Sequence, residues 1–223
     1  MIETGDWMDD TRQKLIDAAG QIFSEKGFET TTVREVCQAA GANIAAIHYH
    51  FGDKERLYIE AVKHANCQQG VVKFDWPPAC SPERKLEGMI FHMMEMMLEN
   101  DSPSWHIELM MRELARPTAA CRELVEEFIS PMFSQLLEIV TEFFPEGAPL
   151  LLRQRMVMSV VSQCLLYRYH RPIGRLLLGE ETFQKLFELE MTAQQVLAFS
   201  LGGIRAAVAE YVASGVAEEE VRS

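Results

Sequence analysis

The sequence has little that would build a sheet, a metal site, an export signal or a catalytic centre. Strand-like alternation is absent and proline is scarce within the long stretches, so an all-α chain is expected. The five cysteines (37, 67, 80, 121 and 164) form an odd, scattered set with no C-x-x-C spacing. That excludes a disulfide framework and a zinc site and suits a reduced cytoplasmic setting. No run reaches the roughly 18 continuous apolar residues of a membrane span, and the acidic MIETGDWMDD start has no apolar run of a signal peptide. There is no nucleophile elbow, glycine-rich phosphate loop or convergent His/Asp/Glu set, so an enzyme has little support and no cofactor is expected. Excess basic charge is missing too. A net charge of −12 argues against a nonspecific nucleic-acid coater, which would be basic. It leaves room for a site-specific binder that holds phosphates through helix N-termini and neutral donors.

What is there is 223 residues, 48% hydrophobic and 24% charged, enough for one or two soluble domains with a proper core. The chain is organised around residues 30–57, TTTVREVCQAAGANIAAIHYHFGDKERL. Thr32 is placed to cap a helix in which Val33, Val36, Cys37 and Ala40 make one apolar face. Gly41 ends that helix in the left-handed conformation. Asn43 caps a second helix running to His50, and Asp53 caps a third. Two short helices joined by about three residues form a helix-turn-helix, whose second helix lies in the major groove. Ala39, Ala40, Ala45 and Ala46 allow close approach, while Ile47 and Phe51 anchor the second helix inward.

The threonine opening the first helix, the Ala40-Gly41 turn, the HYHF run at 48–51 and Lys54 together resemble the DNA-binding domain of the TetR family, over about residues 10–65. The resemblance implies a homodimeric regulator of double-stranded operator DNA. By matching motif positions, Ile44, Ala45 and Ala46 would face base edges, where aliphatic side chains touch thymine methyls only. Asn43 and His48 fall within the same contact stretch, and His48 stands where the family often has tyrosine. Thr32, Tyr49, His50 and Lys54 would hold phosphates. Arg34 is the candidate for a base hydrogen bond; its alternative is a solvent ion pair with Glu35 or another acid. A shared metal site at His48 and His50 is disfavoured because i and i+2 point to nearly opposite sides of a helix. His92 and Glu95 have no second such pair.

Helix 1 is expected over about 10–26. A helix over 53–73 links the head (10–57) to a second domain (74–215), after a connector with Pro77, Pro78 and Pro82. Ser81-Pro82 and Ser102-Pro103 each open a helix. Pro131 should kink the helix that follows Thr118. Further helices are expected over 150–170, a short 173–178 piece, and a last helix or pair over 182–214. MMRELARPT (110–118), Pro131 and SVVSQCLLYRYHRPI (159–173) resemble the C-terminal domain of CecR-like TetR regulators. The resemblance implies that the helix beginning near 150 and the last helix pair with their copies in a four-helix bundle.

In the family an effector sits among the middle helices. Methionine is flexible and polarisable, so Met-rich walls suit apolar or amphipathic small molecules. Met89, Met93, Met97, Trp105, Met110, Phe133, Gln163 and Tyr167 are the candidate lining, against the alternative that methionines at helical spacing are ordinary core. Gly202 and Gly203 lie mid-helix, where close approach of another helix would explain them. Val160, Val161, Leu165 and Val196 are their candidate companions at a dimer interface, against a local kink. The favoured reading is a repressor released from DNA by its effector. An activator or dual regulator, or a helical protein-interaction adaptor, are the rivals.

Overall fold

A computed structural model describes residues 4–67, 73–98 and 105–222, with side chains described over 10–65, 73–98 and 105–215. Among the described residues the secondary structure is helical throughout. The helices are α1 (Thr4–Lys26), α2 (Val33–Ala40), α3 (Ile44–His50), α4 (Lys54–Cys67), α5 (Pro82–Leu98), α6 (Trp105–Ala115), α7 (Ala120–Leu124), α8 (Ser130–Thr141), α9 (Leu150–Tyr169), α10 (Arg171–Leu178), α11 (Glu180–Leu186) and α12 (Leu189–Arg222). Lys73, the expected end of α4, is not helical, and residues 68–72, the last residue of α5 and the Ser102-Pro103 opening of α6 lie outside the described residues. Pro131 acts one turn early. Lacking an N–H, it cannot continue the α ladder, and the turn before it, Val125–Ile129, widens to π geometry with Ser130 N–H reaching back to the Val125 carbonyl. The last segment is a pair of helices, α11 and α12.

The chain forms two compact units that do not follow the expected boundary at 74. The first comprises residues 1–72 together with 102–131; the second comprises 73–101 with 132–223. Segment 105–131, expected in the second domain, packs with the head instead. The reason is local to the first unit. Leu15, Ala19 and Phe23 of α1, Ile47 of α3 and Leu57, Tyr58 and Ala61 of α4 build a core that Leu109 of α6 and Leu124 of α7 complete. Gly20 clears room for α6, since a Cβ there would sit 2.0 Å from the Trp105 ring. Arg112 donates to the Ser24 and Glu25 carbonyls at 3.0 and 3.3 Å, the negative end of α1. Gly27, at φ 87°, leaves that guanidinium its space.

Glu113 closes this arrangement. It is 0% exposed, and its carboxylate accepts from Tyr58 Oη at 2.6 Å, from Thr118 N–H at 2.6 Å and from the Thr118 hydroxyl at 3.0 Å. Burial, and then Glu113, push the Tyr58 phenol above its ordinary range, so it stays a donor.

In the second unit, Leu86, Met89, Ile90, Met93 and Met94 of α5 meet Leu136 and Val140 of α8, Val157, Val160 and Cys164 of α9, and Val196 and Ile204 of α12. Burial pushes the Cys164 thiol up to about 12, so it behaves as an apolar side chain. The connector lies on α5: Trp76 covers Gly88, and Phe74 N–H donates to Gln135 Oε1 at 3.1 Å. The sequence leads to no expectation of a membrane-length segment, yet Leu189–Gly215 of α12 is long and apolar enough to cross a membrane by length and composition, with 17% of its window buried. Interspersed Ser, Thr and Gln hide it from a search for continuous apolar runs.

Removing the Tyr58 hydroxyl takes a donor from a buried carboxylate. Tyr58→Phe is expected to lower stability by about 2 kcal/mol, read by urea unfolding, while helix content by circular dichroism stays unchanged.

Candidate nucleic-acid interface

The two short helices are each fixed by their caps. Thr32 and Glu35 form a reciprocal capping box. The Thr32 hydroxyl accepts from Glu35 N–H at 3.3 Å, and the Glu35 carboxylate accepts from Thr32 N–H at 2.9 Å and from the Thr32 hydroxyl at 2.9 Å. Lys26 Nζ completes the carboxylate at 2.9 Å. Lys26, with Thr32 behind it, holds the Glu35 carboxyl down at about 2. Gly41 sits at φ 64°, a left-handed cap at the end of α2. Asn43 Oδ1 accepts from Ala46 N–H at 2.9 Å and starts α3. Asp53 starts α4 by accepting from Arg56 N–H at 2.8 Å.

These caps set which side of α3 faces outward. Ile47 and Phe51 are buried in the head core. Ile44, Ala45, His48 and Tyr49 are exposed, Tyr49 at 69%. Ala46, expected at a base edge, is half-buried and packs against the core, because it shares the inner side with Ile47. His50 is half-buried, with its ring edge-on to Tyr49 at 5.0 Å. His48 Nδ1 lies 2.8 Å from the Gly52 carbonyl. A carbonyl only accepts, so Nδ1 carries the hydrogen and closes the end of α3. Asn43 likewise has a structural task as a cap.

Arg34 is exposed on α2, and among the described residues it has no ion pair. Glu35, its expected solvent partner, is engaged by Lys26 and Thr32. Lys54 lies over the Phe28 ring at 4.5 Å and donates to the Glu29 carbonyl at 3.4 Å, which holds it at the start of α4. Two of its three donors remain. The acids of this stretch are thus largely used as caps, while Arg34, Tyr49 and the far side of His48 are left outward.

The remaining expected residues fall in both units. Met89 and Met93 are buried in the core of the second unit, and Met97 is buried beside them on α5. Phe133 packs against that core, Tyr167 meets Phe187 edge-on at 5.5 Å, and Gln163 donates to Ser200 Oγ at 3.3 Å. Trp105 and Met110 pack in the first unit. A cleft of about 460 Å³ on the second unit is lined by Phe74, Gly88, Phe91 and His92 among others, with none of the expected residues. At the expected dimer face, Val160 and Val196 are corrected: both are buried in the protomer's own core and cannot reach a partner. Val161 and Leu165 are half-buried, and Gly202 and Gly203 are exposed, with open space where a Cβ would be. The outward stripe of α9 is Leu151, Met158, Ser162, Leu166 and Tyr169; that of α12 runs from Met191 through Gln195, Ala198 and Phe199 to Gly202 and Ala206. Among the described residues no group of three or more His, Cys, Asp or Glu is arranged to hold a metal ion.

A capped helix pair on a three-helix head, followed by a larger helical unit, defines a helix-turn-helix regulator. Residues 15–61 match the bacterial regulatory proteins of the tetR family, and residues 82–204 match the C-terminal domain of the HTH-type transcriptional dual regulator CecR. The second match covers more than half of the chain, which belongs to the TetR family and carries a CecR-type C-terminal domain. The chain is 30% identical to CecR of Shigella flexneri over 141 residues, 58% of this chain and 62% of that protein. It is 41% identical to the transcriptional repressor AcnR of Corynebacterium efficiens over 58 residues, 26% of this chain and 31% of that protein. The chain therefore spans less than two thirds of the length of either relative. HlyIIR, a hemolysin II transcriptional regulator, shares the fold at a TM-score of 0.56 and 20% identity, over 86% of this chain and 97% of that one.

The Glu35 carboxyl gives a pH signature. Its folded value lies below the ordinary glutamate range, so its contribution is complete above about pH 4.3 and is lost as pH falls towards about 2. Glu35→Gln is expected to lower thermal stability slightly at pH 7 and to flatten the loss between those limits, as read by melting curves across pH.

Proposed function

We propose that the protein is a cytoplasmic, homodimeric transcriptional repressor that leaves its operator when a small apolar or amphipathic molecule binds the second unit. The observation that carries this reading is the outward face of α3. Ile44, Ala45, His48 and Tyr49 stand clear of the core on a helix capped at both ends. Ile44 and Ala45 suit thymine methyls, and Arg34 suits a base acceptor at the groove edge. Tyr49, Thr32 and Lys54, with His50 in a lesser part, hold phosphates.

The outward stripes of α9 and α12 support the dimer. Largely apolar residues repeat there at helical spacing on an exposed face, and the Gly202-Gly203 step lets a helix from a second copy come close. Two heads then address half-sites about one DNA turn apart, ~34–36 Å. The methionine-rich interior behind α5 suits an adaptable ligand cavity. A molecule that binds best to the conformer with the wrong head spacing shifts the population off DNA, by no more than its differential affinity. The C-terminal match to a dual regulator supports a second reading, in which some promoters are activated; a reporter gene gives the sign.

In gel shifts on the DNA upstream of its own gene, Tyr49→Phe and Lys54→Ala are each expected to weaken binding about tenfold. The lysine change should also lower the salt slope by about 1. Unaltered affinity across salt concentrations would remove these two contacts. Phe199→Glu, on the exposed stripe of α12, is expected to give a folded monomer in sedimentation equilibrium.

A further inference from the structure

Helix α10 is the least covered apolar element of the second unit. Leu176 is 89% exposed and Leu177 78%, more than any other large apolar side chain in the described chain, and Ile173 is exposed beside them. These three lie at i, i+3 and i+4, on one face. The opposite face is anchored: Gly174 is buried against the Phe183 and Phe187 rings, where a Cβ would come within 3.2–3.3 Å, and Arg171 donates to the Leu98 carbonyl at 3.0 Å. The exposure is therefore a property of a docked helix.

The face also continues the stripe proposed for the dimer. Leu166 and Tyr169 of α9, then Ile173, Leu176 and Leu177, keep helical spacing across the kink at His170, whose N–H still bonds the Leu166 carbonyl at 3.0 Å. A fully exposed leucine-sized side chain presents on the order of 100 Å² of apolar surface. Leu151, Met158, Leu166, Met191 and Phe199 then offer on the order of 300–400 Å². A standard interface buries about 800 Å² per partner. Ile173, Leu176 and Leu177 add roughly 200 Å², which brings the face towards that size.

We infer that α10 is a clasp that packs on the second copy of this chain beyond the α9/α12 bundle, so that a substantial part of the dimer's affinity resides in Ile173, Leu176 and Leu177. The inference rests on the dimer proposed above. A lipid surface is the other apolar occupant of such a helix, but the cations of α10 are engaged, Arg171 by the Leu98 carbonyl and Arg175 by Glu180 at 3.5 Å, and with a net charge of −12 the chain is repelled by anionic headgroups.

The test is sedimentation equilibrium of the full chain beside a Leu176→Ser/Leu177→Ser variant, with helix content checked by circular dichroism. Both side chains are mostly in solvent, so the variant folds. The expected result is a dimeric wild type and a variant whose dissociation constant rises at least tenfold. A dimeric wild type with an equally tight variant overturns the clasp and leaves the dimer standing. A monomeric wild type overturns both. Flotation of the wild type with phosphatidylglycerol vesicles, lost in the variant, would assign the face to lipid and also overturn the clasp.

Discussion

One buried carboxylate decides what the DNA-binding unit is made of. Glu113 is shut off from solvent, so its carboxylate oxygens are satisfied by Tyr58 of α4 and by Thr118 at the entrance to α7. Removing one partner of such a group costs far more than the intact set contributes. The arrangement therefore tolerates little independent movement of α4, α6 and the start of α7. Arg112, one residue earlier, grips the end of α1. The block RELARPT thus ties a stretch distant in sequence to the helix-turn-helix. In consequence the chain crosses between its two units at 72–73, 101–102 and 131–132.

An acidic protein that binds DNA needs its negative charge to be occupied near the interface. The same local chemistry that shapes the helices achieves this. Glu35 is spent on the Thr32 box and Lys26, and Asp53 on the first turn of α4. The outward side chains are then Arg34, His48, Tyr49 and aliphatic residues, a face close to neutral rather than repulsive. On the proposed function, affinity on such a face comes from fit, helix N-termini and a few cations, and a modest dependence on salt is expected for it.

The helix-turn-helix is legible in the sequence because its boundaries are written in local chemistry: Thr32, Gly41, Asn43 and Asp53 each act within one turn of their own position. Pro131 is legible for the same reason, since a missing N–H has a local effect. What cannot be read depends on partners far along the chain. Nothing near Glu113 in sequence marks it as buried; one of its partners, Tyr58, lies 55 residues away. Val160 and Val196 look like any apolar residues of α9 and α12, and a sequence stripe does not say which of two apolar faces turns inward. Ala46, one residue from Ile47, is subject to the same ambiguity. Four of the five methionines of α5 are buried, which a packed core and a ligand cavity have in common. The family resemblance supplies the second domain's fold, but its residues have to be placed by packing.

The central claim is that two copies of the α2–α3 pair read DNA together. Footprinting of the purified protein on the intergenic DNA beside its own gene tests that most directly. The account predicts a protected, inverted pair of half-sites whose centres lie about one helical turn apart, released when the half-site spacing is changed by half a turn. A single half-site protected by a monomer, or no protection across that DNA in excess competitor, would contradict it.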